Sequence, residues 1–134
     1  MTFAPTSLAS IASSYYPGVA NDRCLFCRII AGEIPAKKAY EDDDVVAFND
    51  VNPQAPVHIL VIPRKHVATL DDLTENDAST MGTVVVRAAA IARQLKLEAD
   101  GYRLVVNMGP AAGQTVFHIH FHILGGRNFG WPPG

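Results

Sequence analysis

The sequence predicts an α+β domain: a mainly antiparallel sheet of about five strands, with one short helix and one long one. Three observations carry that expectation. Apolar residues recur at three- and four-residue steps over one extended segment only, downstream of Thr74. Short runs rich in β-branched and aromatic residues lie on both sides of it, bounded by Gly, Pro and Asp. The chain has 134 residues, enough for a single core and too few for two.

The first twenty-two residues, MTFAPTSLASIASSYYPGVAND, contain no Lys or Arg and no continuous apolar block, so they do not read as a secretory signal. They read as a poorly ordered tail ahead of a domain spanning residues 23–134. CLFCRII, from Cys24, is a short amphipathic turn or helix closed by Gly32 and Pro35. AKKAYED and VVAFND are two short strands around the acidic turn Asp42–Asp44, a hairpin pattern. VNPQAP is a loop, and VHILVI a buried strand ended by Pro63. The long helix has Thr74 as N-cap, with Asp77 three residues on, and Gly101 as its C-terminal stop. Ala78, Met81, Val85, Ala88, Ala92 and Leu95 form its apolar stripe, which reads as core packing. YRLVVN is a strand, MGPAAGQ a glycine-rich loop and TVFHIHFHILGG the last strand. NFGWPPG, with two prolines, is no central strand, and no internal repeat or linker interrupts the chain.

Composition narrows the function classes. Hydrophobic residues make up 49% and charged residues 18%, with a formal net charge of −2. That leaves no basic footprint for nucleic acid. No apolar run approaches the ~20 residues that cross a bilayer, so a cytoplasmic address is expected. The two cysteines, Cys24 and Cys27, are spaced C-x-x-C, which in a reducing compartment reads as a metal half-site or a redox pair. A redox motif would want a preceding strand and a βαβ context, which the upstream tail does not offer.

Three of the five histidines stand at two-residue spacing in FHIHFHIL. Alternation along a strand puts His118, His120 and His122 on one face, and Phe117, Ile119, Phe121 and Ile123 on the other, toward the long helix. One histidine there would read as packing. Three on one face, each needing partners if buried, point to function. Imidazole serves as a zinc ligand or as a nucleophile and general base near neutral pH. Neighbours ~7 Å apart on one strand converge poorly on an ion at ~2.0–2.1 Å, which favours different tasks for different histidines.

HIHFHIL, together with CLFCRIIAGEIPAKKAYEDDDVVAFNDVNPQAPVHILVIPRKH, YRLVVNMG, AGQTVFHIHFHILGGR and WPPG in that order, resembles the histidine triad (HIT) family and its nucleotide-binding branch. The likeness spans Cys24 to Gly134. It implies a HIT-like fold whose sheet continues across a homodimer. It also implies binding of purine nucleoside monophosphates, AMP among them, and hydrolysis of AMP–amine phosphoramidates through a covalent nucleotidyl-histidine. By the resemblance His120 attacks phosphorus, His122 contacts the phosphate and handles a proton, and His58 joins the relay. Which of His58 and His122 protonates the leaving amine stays open.

Asn107, Gly109, Gly113, Gln114 and Thr115 match the phosphate side of the family's site, and Asp50 its ribose-binding acid. Phe26, Ile29, Phe48 and Val51 match its base pocket. Asn49, beside Asp50, stands where animal members carry a histidine; Thr115 stands for their serine and Met108 for an acidic residue. Cys24, Cys27, His66 and His118 match a structural zinc set of microbial members, and no organic cofactor is implied. Trp131 matches a tail residue that reaches toward the partner's site. Three alternatives stay open: hydrolysis of dinucleoside polyphosphates or other nucleotidyl conjugates, a nucleotide-binding scaffold with little catalysis, and a metal-dependent hydrolase.

Overall fold

The computed structural model describes residues 23–134, so the tail expected over 1–22 lies outside the described residues. The domain runs α1 (Leu25–Ile30), β1 (Lys38–Glu41), β2 (Val45–Asn49), β3 (Val57–Pro63), α2 (Ala78–Gln94), β4 (Tyr102–Val106) and β5 (Phe121–Gly125). The five strands form one sheet in the order β1-β2-β3-β5-β4, every neighbouring pair antiparallel. This is the α+β architecture the sequence predicts.

The central strands read as continuous apolar runs because both faces of the sheet are covered. On one face Val45, Ala47, Ile59, Val61, Ile119, Phe121 and Ile123 pack with Val84, Ala88, Ile91 and Ala92 of α2. On the other, Val46, Phe48, Leu60 and Ile62 pack with Phe26 and Ile29 of α1. The β1–β2 turn is built on Asp42. One carboxylate oxygen accepts the backbone N–H groups of Asp44 and Val45, both at 2.8 Å. The other accepts from Arg87 of α2 and from Tyr40, each at 2.7 Å. The Arg87 guanidinium holds the Asp42 carboxyl well below the usual carboxylate range.

The long helix differs from expectation at both ends. Thr74 and Asp77 do form a reciprocal capping box, but around a 3-10 turn, Glu75–Asp77, that leads into α2. The helix stops at Gln94, because Lys96 adopts φ +61° and turns the chain before Gly101 is reached. The apolar stripe also lies in a different phase. Val84 and Ile91 are buried beside Ala88 and Ala92, and Met81 packs against them. Ala78, Val85 and Leu95 are exposed. Adjacent valines at 84 and 85 leave the phase ambiguous in sequence, and Leu95, at the helix end, yields its place in the core to Leu97.

The histidine segment enters the sheet later than expected, with ladder pairing beginning at Phe121. Upstream, the backbone N–H of Ile119 bonds to Val67 O at 2.7 Å. Ile119, Phe121 and Ile123 reach the α2 core, whereas Phe117, expected there too, is 44% exposed. At the far end of β5, Gly126 has φ +91°, and a Cβ on it would sit 2.9 Å from Pro56 Cβ. Gly126→Ala is therefore expected to lower the unfolding free energy by about 2 kcal/mol, from left-handed backbone strain plus overpacking. A urea midpoint unchanged from the parent would contradict that reading of the turn.

Candidate functional site

The α1 face of the sheet carries a cavity of about 510 Å³. Phe26 and Ile29 of α1 and Phe48 and Leu60 of the sheet form its apolar wall. Asn49, Asp50 and Val51 stand at the end of β2, and Gly113, Thr115, His120 and His122 line the opposite side. Phe26 sets its edge against both Phe48 and His120, with ring centroids 5.3 and 5.1 Å apart.

The register explains how distant histidines meet. Leu60 of β3 lies opposite His122 of β5, so His58, two residues before Leu60, shares the face of His122. His58 Nε2 is 2.8 Å from His122 Nδ1 and 3.4 Å from Asp50 Oδ2. His58 Nδ1 accepts the Gln54 backbone N–H at 3.0 Å. His120 Nδ1 donates to the His118 carbonyl at 2.8 Å, which leaves its Nε2 lone pair free. The structure thus gives the three histidines of the motif three different environments.

Burial depresses the basicity of all three site imidazoles. His58 and His120 are pushed below the ordinary 6.5 mainly by desolvation, and Asp50 partly offsets this at both. His122 is pushed down to about 4 by desolvation and by the neighbouring His120 and His58. A base whose folded pKa is lowered binds fewer protons folded than unfolded between the two values, so stability falls on acidification through that window. Between pH 6.5 and about 4 the urea midpoint is expected to drop. His122→Asn should make that drop shallower than in the parent; an equal slope in both proteins would refute the assignment.

A second cluster lies beside the first. Cys24, Cys27, His66 and His118 bring their donor atoms within 4.8 Å of one another. Cys24 serves as N-cap of α1, its sulfur accepting the Cys27 N–H, which aims the C-x-x-C pair at the sheet. His66 Nδ1 is 3.2 Å from His118 Nδ1, and the sulfur–nitrogen separations are 3.3 Å for Cys27–His66 and 3.5 Å for Cys24–His118 and Cys27–His118. Tetrahedral zinc, at about 2.05 Å from nitrogen and about 2.3 Å from sulfur, would separate its ligands by about 3.4 Å (N···N) and about 3.6 Å (N···S). The donor set fits. His118 Nε2 donates to Pro63 O at 2.8 Å, which presents the Nδ1 lone pair to the cluster. Hydrogen bonding between the two thiols pushes Cys24 down and Cys27 up.

Not every residue matched by the resemblance lines the cavity. Phe26, Ile29, Phe48, Asn49, Asp50, Val51, Gly113, Thr115, His120 and His122 do, with Val51 fully exposed at the rim. Gln114 is buried, its Oε1 accepting Gly109 N–H at 2.9 Å and its Nε2 donating to the carbonyls of Ala68 and Val116. Asn107 lies behind the glycine loop, its Nδ2 3.8 Å from where a Cβ on Gly113 would stand. Leu60, Lys37, Ile34, Pro35, Ala36, Val116 and Leu25 line the cavity as well and lie outside the residues the resemblance marks. Period-two alternation from His58 could have found Leu60; the segment 34–37 carries no comparable signal.

Fold and site together define a class: an α+β domain with a hydrogen-bonded histidine triad beside an apolar-walled cavity. Residues 31–129 match the HIT domain model, and the chain belongs to the HIT family. Among its relatives is the 14 kDa zinc-binding protein of Zea mays, 47% identical over 112 residues, 82% of this chain and 87% of that protein. Among solved structures, a HIT family hydrolase from Legionella pneumophila superposes with a TM-score of 0.82 at 48% identity, covering 84% of this chain and all of that one. A histidine triad nucleotide-binding protein from Candida albicans gives 0.70 at 33% identity, covering 81% and 82%.

Proposed function

We propose that this protein is a purine nucleoside phosphoramidase of the nucleotide-binding HIT branch. It would cleave AMP–amine conjugates through a nucleotidyl-His120 intermediate. The observation that carries the reading is the His120 imidazole, pinned through Nδ1–H to the His118 carbonyl with Nε2 free beside the cavity. The apolar wall of Phe26, Ile29, Phe48 and Val51 takes the base. Asn49 and Asp50 meet the ribose. Gly113 and Thr115 flank the phosphate, with Asn107, Gly109 and Gln114 shaping the loop behind them.

The chemistry balances with one proton on the His58–His122 pair. His120 Nε2 then forms a bond to phosphorus as the P–N bond breaks, and His122 delivers the proton to the departing amine. Water attacks the nucleotidyl-His120 next. Its proton returns to the His58–His122 pair, and the nucleoside monophosphate leaves. Incubation with adenosine 5′-phosphoramidate followed by acid quench should yield AMP and a nucleotidylated peptide containing His120. AMP formed without any such adduct on rapid quench would favour direct attack by water.

Cys24, Cys27, His66 and His118 would hold structural zinc, supported by the donor spacing and by the zinc-binding relative. These residues would tie α1 to the segments that follow β3 and precede β5, and the bound ion would supply a structural cross-link. Reduced thiolate ligands suit the cytoplasm, and no helix among the described residues is long and apolar enough to cross a membrane.

The proposed assembly is a homodimer that extends the sheet. Among the described residues β4 is paired on one edge only, and α2 leaves Val85 and Val86 42% and 59% exposed. Trp131, 84% exposed, would reach the partner's site and influence the amine accepted. Sedimentation equilibrium should return twice the chain mass for the parent and a shift toward monomer for Val86→Glu. A monomeric parent would exclude the dimer.

A further inference from the structure

His58 is hydrogen-bonded on both ring nitrogens, and its two partners are not equivalent. Nε2 faces His122 Nδ1 and Asp50 Oδ2, at 2.8 and 3.4 Å. Nδ1 faces the backbone N–H of Gln54 at 3.0 Å. A peptide N–H can only donate, so Nδ1 of His58 has to be an acceptor and the ring proton has to sit on Nε2. Gln54 contributes no reactive group, yet it fixes which nitrogen carries the proton aimed at His122.

The position of Gln54 depends on its loop. Within the loop, Asp50 Oδ1 accepts the Asn52 N–H at 2.8 Å, and Gln54 Nε2 donates to Asn52 O at 3.1 Å. From far along the chain, Arg127 Nε donates to the Gln54 carbonyl at 3.0 Å. The Arg127 guanidinium is itself fixed. It bonds to Asn128 O at 2.9 Å, and its central carbon lies 4.3 Å from the centroid of the Phe129 ring. The same ring takes Arg103 at 5.2 Å, and Arg103 also donates to the Gly130 carbonyl. One residue before Arg127, Gly126 lies against Pro56 of the same loop.

We propose that Arg127 is a positioning residue: by holding the Gln54 backbone it imposes the Nε2–H tautomer on His58 and so directs the His58–His122 hydrogen bond. The inference rests on the reading of those two histidines as the proton relay, and Arg127 touches neither substrate nor reacting atoms. Without Arg127, Gln54 is free to withdraw its N–H, and His58 can then carry its proton on either nitrogen. In the Nδ1–H form nothing is donated to His122, and the relay is broken at its first link.

The test uses the full, zinc-loaded chain with ¹⁵N-labelled histidine. Long-range ¹⁵N–¹H correlation should show His58 as a single Nε2–H tautomer in the parent and as a mixture in Arg127→Ala. For adenosine 5′-phosphoramidate, kcat should fall about tenfold in that variant, less than the roughly 10²–10⁴-fold that a positioned acid–base contributes, because the relay is mispositioned in only part of the molecules. KM should stay within about twofold, because no binding contact is lost. Arg127→Lys, whose ammonium can reach the same carbonyl, should recover most of the rate and the parental tautomer.

An unaltered His58 tautomer in Arg127→Ala overturns the proposal, whatever happens to the rate. So does a tautomer mixture that leaves kcat unchanged. Should Arg127→Ala fail to fold, Phe129→Leu removes the aromatic support and keeps every donor. That variant should show a smaller shift in the same direction, and a parental tautomer in it overturns the proposal. The spectra need no turnover, so an inactive parent would refute the relay reading separately.

Discussion

Replacing His120 by alanine is expected to lower phosphoramidate turnover by at least about four orders of magnitude while AMP binding stays within about threefold of the parent. The asymmetry follows from the site. His120 supplies the lone pair that would bond to phosphorus, and the residue is 9% exposed at the cavity wall. The apolar wall of Phe26, Ile29 and Phe48 and the carboxylate of Asp50 remain in place without it. Binding is read by calorimetry with AMP and turnover by amine release. Substantial residual turnover would remove covalent catalysis and leave attack by water, with His122 or a metal assisting. A large loss of AMP affinity would instead show that the imidazole mainly holds the phosphate.

The second large effect concerns the Cys2His2 cluster. Cys27→Ser is expected to abolish stoichiometric zinc and destabilise the domain by about 3 kcal/mol, a Tm decrease of roughly 12 °C for a domain of this size. Zinc content by elemental analysis and calorimetric Tm check this together. Chelation of the parent should reproduce the Tm decrease, and added zinc should restore it. A chelated protein of unchanged Tm and lost activity would point to a catalytic metal instead. His118 couples the two sites. Its side chain belongs to the cluster, while its backbone carbonyl orients His120. Catalytic loss on mutating His118 therefore reports displacement of the main chain, because the carbonyl itself survives the substitution.

Much of this site was legible before any coordinates. The Cys24–Cys27 spacing and the two-residue histidine repeat are local signals; a helix N-terminus brings the cysteines together, and alternation puts the histidines on one face. The sheet obeyed the same logic, since strands carry their own turn residues at each end. What escaped depended on tertiary contacts. The phase of α2 turned on Val84 against Val85, two identical side chains whose fates differ only by what lies beneath them. Phe117 reads as core by alternation and is exposed, because regular pairing starts four residues later, at Phe121. Lys37 lines the cavity from the segment just before β1, which carries no periodic signal of its own. Gln54 and Arg127 are further from reach, because Gln54 meets His58 through its backbone N–H and Arg127 meets the Gln54 carbonyl.

The buried Gln114 side chain has one more consequence. It takes the N–H of Gly109 and donates to the carbonyls of Ala68 and Val116, so the glycine loop is braced from inside the protein. Loops that gain their shape from the ligand lose conformational entropy on binding, which weakens the complex. Here the Gln114 side chain supplies three of the bonds that set the loop's shape without a ligand. An arriving anion meets a preorganised loop, so affinities among related ligands should differ mainly through how fast each one departs.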